Sequence, residues 1–233
     1  MSPPSATHLL PAPQAVLFDL DGTLVDSLGD LALATDGTLE ALGHAPAGGE
    51  RVRQWVGRGI DALVGEALTW AGIAASSKEA RAHAMAVFAR HYEAANGSTT
   101  EALPGAHGLL AELDARGTPM GLVTNKARRF TLQLLDALDW MQHFGAIVCG
   151  DDTARKKPAP DPVLEALTTL EVDPSHAVMI GDSTYDVRAA QAAGVVAIRL
   201  SDGYGPDDRE VVADWEGATL ETIGHWLRAT GPR

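Results

Sequence analysis

The chain has 233 residues, enough for one large domain or for a core with a smaller domain set into it. Apolar residues make up 45% and charged residues 21%, which is ordinary for a globular chain and excludes the disordered and fibrous classes. A net charge of -13, from 31 acidic and 18 basic residues, argues against nucleic acid and anionic membranes as partners.

The single cysteine, Cys149, permits no intrachain disulfide and no cysteine-built metal cage, and a cytoplasmic location is expected. The first fourteen residues contain no lysine or arginine and no apolar run of signal length, so they read as a short frayed tail. No segment approaches the ~18 consecutive apolar residues of a membrane span.

The first predicted element is a buried strand in AVLFDLDGTLV (15–25), an apolar run ending in an Asp-Gly-Thr turn. From Ser27 to Asn96 apolar residues recur at helical spacing, through Leu28, Leu31, Leu39, Val52, Val56, Leu63, Val64, Leu68, Met85, Phe88 and Tyr92. No strand pattern interrupts them, which predicts an all-helical block. After the polar stretch 96–105 the texture alternates. GLLAELDARG, RRFTLQLLDAL, PVLEALTTLEV and STYDVRAAQAAG read as helices, the last stopped by Gly194, and PMGLVTN, AIVCGDD, AVMIGDS and VVAIRL read as strands. The tail of the chain reads as a short strand, VVADW, and a closing helix over 220–227.

Short apolar strands separated by amphipathic helices predict an α/β fold: a doubly wound, mainly parallel Rossmann-like sheet, with the helical block inserted after its first strand. The expected division is an α/β core of 1–25 and 97–233 and a helical insertion of 26–96. Ligands of such sheets bind at the carboxyl ends of the strands. Here those ends carry Asp19 and Asp21, Thr124 and Asn125, Asp151 and Asp152, and Gly181 and Asp182.

Asp19 and Asp21 are two apart on a strand end, so both project to one edge while Leu20 turns inward. Close carboxylates repel and call for a cation. Gly22 follows, without a side chain to keep a bound anion from its backbone N–H. Asp182 and Asp186, in GDSTYD, lie four apart at a strand-to-helix junction and share one face of the first turn. Alone, Asp182 reads equally as an N-cap; beside Asp19 and Asp21 it reads as a metal ligand. Oxygen donors without histidine or cysteine select Mg²⁺ over zinc. Thr124 and the N–H of Asn125 are candidate donors to a phosphate, or simply turn residues. Lys157, before a proline, is the candidate cation for the same anion, with Arg155 and Lys156 as competitors.

The segments FDLDGTLVDS, LVTNK, KKPAPDP and GDSTYDVRAA, in this order and separation, closely resemble the four motifs of the haloacid dehalogenase superfamily of phosphatases. The helical block resembles the cap of bacterial phosphoglycolate phosphatases within it. The resemblance implies that Asp19 attacks phosphorus and binds Mg²⁺. It implies that Asp21 is the general acid and base and binds the metal through its carbonyl. Asp182 would be the remaining protein ligand, with Asp186 supporting it, and Thr124, Asn125 and Lys157 would hold the phosphoryl oxygens. Dehalogenation needs no proton donor at position 21, so Asp21 favours a phosphatase.

Arg58, in the turn WVGRGI, is the candidate for reading a substrate carboxylate, or else an exposed arginine of a helical hairpin. His83, His91 and Trp70 read as surface or cap packing, and Cys149 as inert. The expected partner is a small phosphorylated metabolite, 2-phosphoglycolate first. Other sugar, amino-sugar or nucleotide phosphates, a phosphosugar mutase and a non-catalytic phosphate-binding module are the alternatives. A monomer is the default expectation, with a homodimer open.

Overall fold

The computed structural model describes residues 12–73, 77–201, 203–204, 208 and 210–230. The frayed tail expected from the sequence falls mostly on residues 1–11, outside the described residues.

Strand β1 (Ala15–Phe18) is wholly buried and leads through the turn at Asp21 to the short β2 (Val25–Asp26). Four helices follow: α1 (Leu28–Ala41), α2 (Gly49–Arg53), α3 (Ile60–Trp70) and α4 (Lys78–Ala95). The chain returns along β3 (Glu101–Ala102) and then alternates. It passes through α5 (Ala106–Ala115), β4 (Met120–Val123), α6 (Arg128–Ala137), β5 (Ala146–Val148), α7 (Asp161–Leu170), β6 (Ala177–Gly181), α8 (Thr184–Ala192) and β7 (Val196–Leu200). It closes with β8 (Trp215–Ala218) and α9 (Leu220–Thr230).

Among the described residues six strands form one parallel sheet in the order β5-β4-β1-β6-β7-β8. Side chains alternate across it, as the two-residue period of a strand requires. Val16 and Phe18 enter one core with Leu110, Leu113 and Trp226 of α5 and α9. Ala15 and Leu17 enter the opposite core with Leu167 and Val187 of α7 and α8. Burying a side chain of this size contributes roughly 1.5–3 kcal/mol, so a polar residue at Leu17 or Phe18 would break the sheet's centre. Because β1 and β6 are central and covered on both faces, their carboxyl ends are held rigidly side by side.

The sequence reading put the last strand at VVADW; the structure puts it at Trp215–Ala218. In 211–214 the apolar side chains are used differently. Val211 and Ala213 are buried against the second core, Val212 is exposed, and the Asp214 carboxylate accepts the N–H of Ala197 at 2.8 Å in place of a backbone carbonyl.

The helical layer has its own core, in which Leu31, Val52, Leu63, Val64, Leu68, Phe88 and Tyr92 pack together with Phe130 of α6 and with Tyr204. Its two connections to the sheet run side by side, β2 pairing antiparallel with β3. Asp30, fully buried on α1, clamps the return: its carboxylate accepts from Gly97 N at 2.6 Å, Thr99 N at 2.8 Å, Thr99 Oγ1 at 2.7 Å, Ser98 Oγ at 3.1 Å and Thr100 Oγ1 at 2.5 Å. Burial alone would raise its pKa, but these hydrogen bonds outweigh it and hold the carboxyl below the usual carboxylate range.

Candidate active site

Asp19 extends β1 by one residue, its N–H donating to Ile180 O at 3.0 Å, and so stands beside the end of β6. There Asp182 and Asp186 approach from the β6–α8 junction. One oxygen from each of Asp19, Asp182 and Asp186 lies within 4.8 Å of the others. Lys157, buried at the start of the α7 loop, reaches Val123 O at 2.6 Å, Asp186 Oδ1 at 2.6 Å and Asp19 Oδ1 at 2.9 Å. The contact with Asp19 is an ion pair at a poor angle for a hydrogen bond, and Asp19 Oδ1 is buried with no hydrogen-bond partner.

Burial pushes the Asp19 carboxyl up to about 8, with Lys157 pulling the other way and Asp186 and Asp182 adding to the rise. A carboxylate cluster of this kind, with an oxygen lacking its hydrogen bond, fits a hard divalent cation. Asp186 has less to offer such an ion. Its Oδ2 accepts Ser183 N at 3.0 Å and Ser183 Oγ at 2.6 Å in the capping box of α8, and its Oδ1 is held by Lys157. Asp182 is braced by Thr23 Oγ1 at 3.1 Å and by the N–H of Tyr204 at 2.9 Å.

Asp21 faces the other way. Its Oδ1 accepts Ser27 Oγ at 2.5 Å and Lys126 Nζ at 3.0 Å, and the ammonium of Lys126 also donates to the Tyr92 hydroxyl of α4. The same ammonium lies 4.9 Å from the centre of the Tyr92 ring. Burial works against the charge of Lys126, but Asp21 and Tyr92 outweigh it and hold its pKa above the usual lysine value. Burial pushes the Tyr92 hydroxyl up to about 12, so it keeps its proton at neutral pH. Asp19, Asp21, Thr124, Asn125, Lys126 and Tyr92 line a cleft whose opposite wall comes from the helical layer: Leu31 of α1, Val56, Gly57 and Gly59 of the turn between α2 and α3, and Ile60 and Leu63 of α3.

The structure thus brings together Asp19, Asp21, Thr124, Asn125, Lys157, Asp182 and Asp186, and it revises the reason for three expected residues. The N–H of Gly22 is spent inside the turn, donating to Val25 O at 2.8 Å, and does not face an anion. Glycine is needed there for another reason: its φ is +87°, and a Cβ would meet Asp182 Oδ2 at 2.5 Å. The Asn125 side chain ties the helical layer to the core, donating to Gly57 O at 2.9 Å and Lys157 O at 3.0 Å. Arg58 is not among the residues lining the cavity; its exposed guanidinium pairs with Glu66 of α3 at 2.5 Å. Of the competing cations, Arg155 pairs with Asp161 and Lys156 is exposed. Asp151 and Asp152 serve Arg128.

Lys126, Tyr92, Ser27 and Tyr204 were not anticipated as site residues. Tyr92 falls on the apolar spacing of its helix and reads as packing. Lys126 carried a signal, being two residues beyond Thr124 and so on the same side of the strand end. Tyr204 is distant in sequence, yet its hydroxyl accepts Ser27 N–H at 2.8 Å and lies 3.1 Å from Val25 O, linking the Asp182 end of the cleft to the first connection.

Comparison with known proteins places the chain in a family. The family model of haloacid dehalogenase-like hydrolases matches residues 16–200. A phosphoglycolate phosphatase of Photorhabdus laumondii is 41% identical over 202 residues, covering 85% of each chain. The phosphoglycolate phosphatase of Escherichia coli is 39% identical over 207 residues, covering 82% of each. Among solved structures, a predicted phosphoglycolate phosphatase from Haemophilus somnus superposes with a TM-score of 0.86 at 27% identity, over 93% of this chain and 98% of its own. With three carboxylates converging at the ends of β1 and β6, a buried lysine beside them and a helical cap over the cleft, the chain belongs to the haloacid dehalogenase-like hydrolase family, as one of its phosphatases.

Proposed function

We propose that this protein is a Mg²⁺-dependent phosphomonoester hydrolase that works through an aspartyl phosphate on Asp19, with 2-phosphoglycolate as its substrate and residues 26–96 as the cap. The observation that carries the reading is the pairing of Asp19 with Asp21 at one strand end, one facing the carboxylate cluster and Lys157, the other facing the cavity under the cap.

In this reading the Asp19 carboxylate attacks phosphorus and forms an acyl phosphate, while Asp21 gives a proton to the departing oxygen of glycolate. Asp21 then takes a proton from the water that cleaves the acyl phosphate, which regenerates Asp19 and releases inorganic phosphate. Lys157 holds a phosphoryl oxygen with the donor now directed at Asp19, and the Thr124 hydroxyl and Asn125 N–H hold others. Asp19, Asp182 and the carbonyl of Asp21 would hold Mg²⁺, which when bound neutralises charge on the phosphoryl oxygens. Asp186 acts from outside, fixing Lys157 and the start of α8. The cap excludes water from the cleft during the first step, and the substrate name of the relatives at 39–41% identity supports the choice of phosphoglycolate.

The test is phosphate release from 2-phosphoglycolate, hexose phosphates, amino-sugar phosphates and nucleoside monophosphates, with Mg²⁺ or with EDTA. The expected outcome is a Mg²⁺-dependent preference for 2-phosphoglycolate, with Asp19→Asn at least roughly 10⁴-fold slower. Transfer of phosphate to a second sugar hydroxyl without net release would replace this reading by a mutase.

A further inference from the structure

The cavity under the cap is walled by Leu31, Val56, Ile60 and Leu63, and this wall offers no charge to a substrate. Two polar side chains stand against it with hydrogen-bonding capacity left over. An ammonium has three donors. Lys126 gives one to Asp21 Oδ1 at 3.0 Å and one to the Tyr92 hydroxyl, and among the described residues no acceptor takes the third. The Tyr92 hydroxyl accepts from Lys126, and its own proton likewise meets no acceptor among the described residues. Lys126 is 4% exposed and Tyr92 0%. Buried donors are rarely left unsatisfied in native proteins. Two such donors on adjoining atoms match the two oxygens of one carboxylate.

Their position says where that carboxylate sits on the substrate. Lys126 is hydrogen-bonded to the same carboxylate that, in the reading above, protonates the leaving oxygen. A group bound by Lys126 therefore lies close to the ester oxygen. A phosphate ester whose carboxylate is one carbon from that oxygen satisfies this; a neutral alcohol leaves both donors stranded in an apolar pocket.

We propose that Lys126 and Tyr92 form the subsite that recognises the substrate's carboxylate, so that the enzyme selects small phosphate esters bearing a carboxylate next to the ester carbon. Arg58, paired with Glu66 outside the cavity, has no part in it. The inference rests on the phosphatase reading and deepens it.

The experiment compares 2-phosphoglycolate with 2-hydroxyethyl phosphate, which has the same length and no carboxylate, in the Mg²⁺-loaded wild-type protein and in Lys126→Met and Tyr92→Phe. A hydrogen bond to a charged group corresponds to roughly tenfold to a hundredfold in kcat/KM. The wild type is expected to prefer 2-phosphoglycolate by at least that factor. The preference falls close to unity in Lys126→Met and by about tenfold in Tyr92→Phe, chiefly through KM. Equal wild-type rates on both esters overturn the subsite while leaving the phosphatase intact, and need no variant that must fold. Variants that slow both esters equally also overturn it, since Lys126 would then serve Asp21 alone. Release from neither ester by the wild type overturns the phosphatase reading and this inference together.

Discussion

The half of the cleft around Asp19 and the half around Asp21 are two residues apart in the chain, yet they are assembled differently. Around Asp19 the side chains come from segments that follow strands of one sheet: Asp19 after β1, Lys157 after β5, and Asp182 and, in the first turn of α8, Asp186 after β6. Around Asp21 the partners come from both layers: Lys126 from the core, Ser27 from the start of α1 and, through Lys126, Tyr92 from α4. The first half depends on a rigid, doubly covered sheet. The second exists only while the cap is seated. The division suits a hydrolase that keeps one chemistry and varies its substrate, because mutations in the cap can reshape the second half without moving the first.

The comparison can be broken most directly at Lys157. Replacing it by Met removes the ammonium that links Val123 O, Asp186 and Asp19, and kcat on any phosphate ester should fall about 10²–10³-fold. Steady-state kinetics on 2-phosphoglycolate and on 2-hydroxyethyl phosphate check this, and a loss confined to one ester would mean that Lys157 belongs to the substrate half.

Asp30 tests whether the halves are separable. Asp30→Ala strands the donors of residues 97–100 and should cost about 3 kcal/mol in urea unfolding at pH 7. Because the folded carboxyl is held below the unfolded value of 3.8, its contribution is fully present above that pH. It is lost as the pH falls through the folded value, so the gap between wild type and variant should narrow in acid. A gap that widens in acid would contradict the hydrogen-bond assignment.

Arg58→Ala is the smallest expected effect. An exposed ion pair contributes little, and KM for 2-phosphoglycolate should change less than about threefold. A loss of a hundredfold would return the cap arginine to the substrate and sharpen the second half around a different cation.

What could be read from the chain follows the same division. The apolar run 15–18 ending in Asp19 and the alternation of strands and helices after residue 105 are local patterns; the sequence reading misplaces the N-cap of α8, since Ser183 and not Asp182 holds that position and closes a capping box with Asp186. Strand ends in a parallel sheet converge by topology, so Asp19, Thr124 and Asp182 could be placed together before any distance was known. Gly22 was recognisable as special, but its reason was not: the atom it makes room for belongs to Asp182, distant in sequence.

Sequence by itself determined the parallel sheet, the helical layer after its first strand and the carboxylates at the strand ends, because periodicity and strand termini are encoded within a few neighbouring residues. Only the tertiary structure decided that Arg58 turns to Glu66, that Asn125 ties cap to core, and that Lys126 and Tyr92 meet beside Asp21. Those outcomes depend on how two independently packed layers seat against each other, and a buried lysine takes its meaning from the partners that the seating brings within a hydrogen bond.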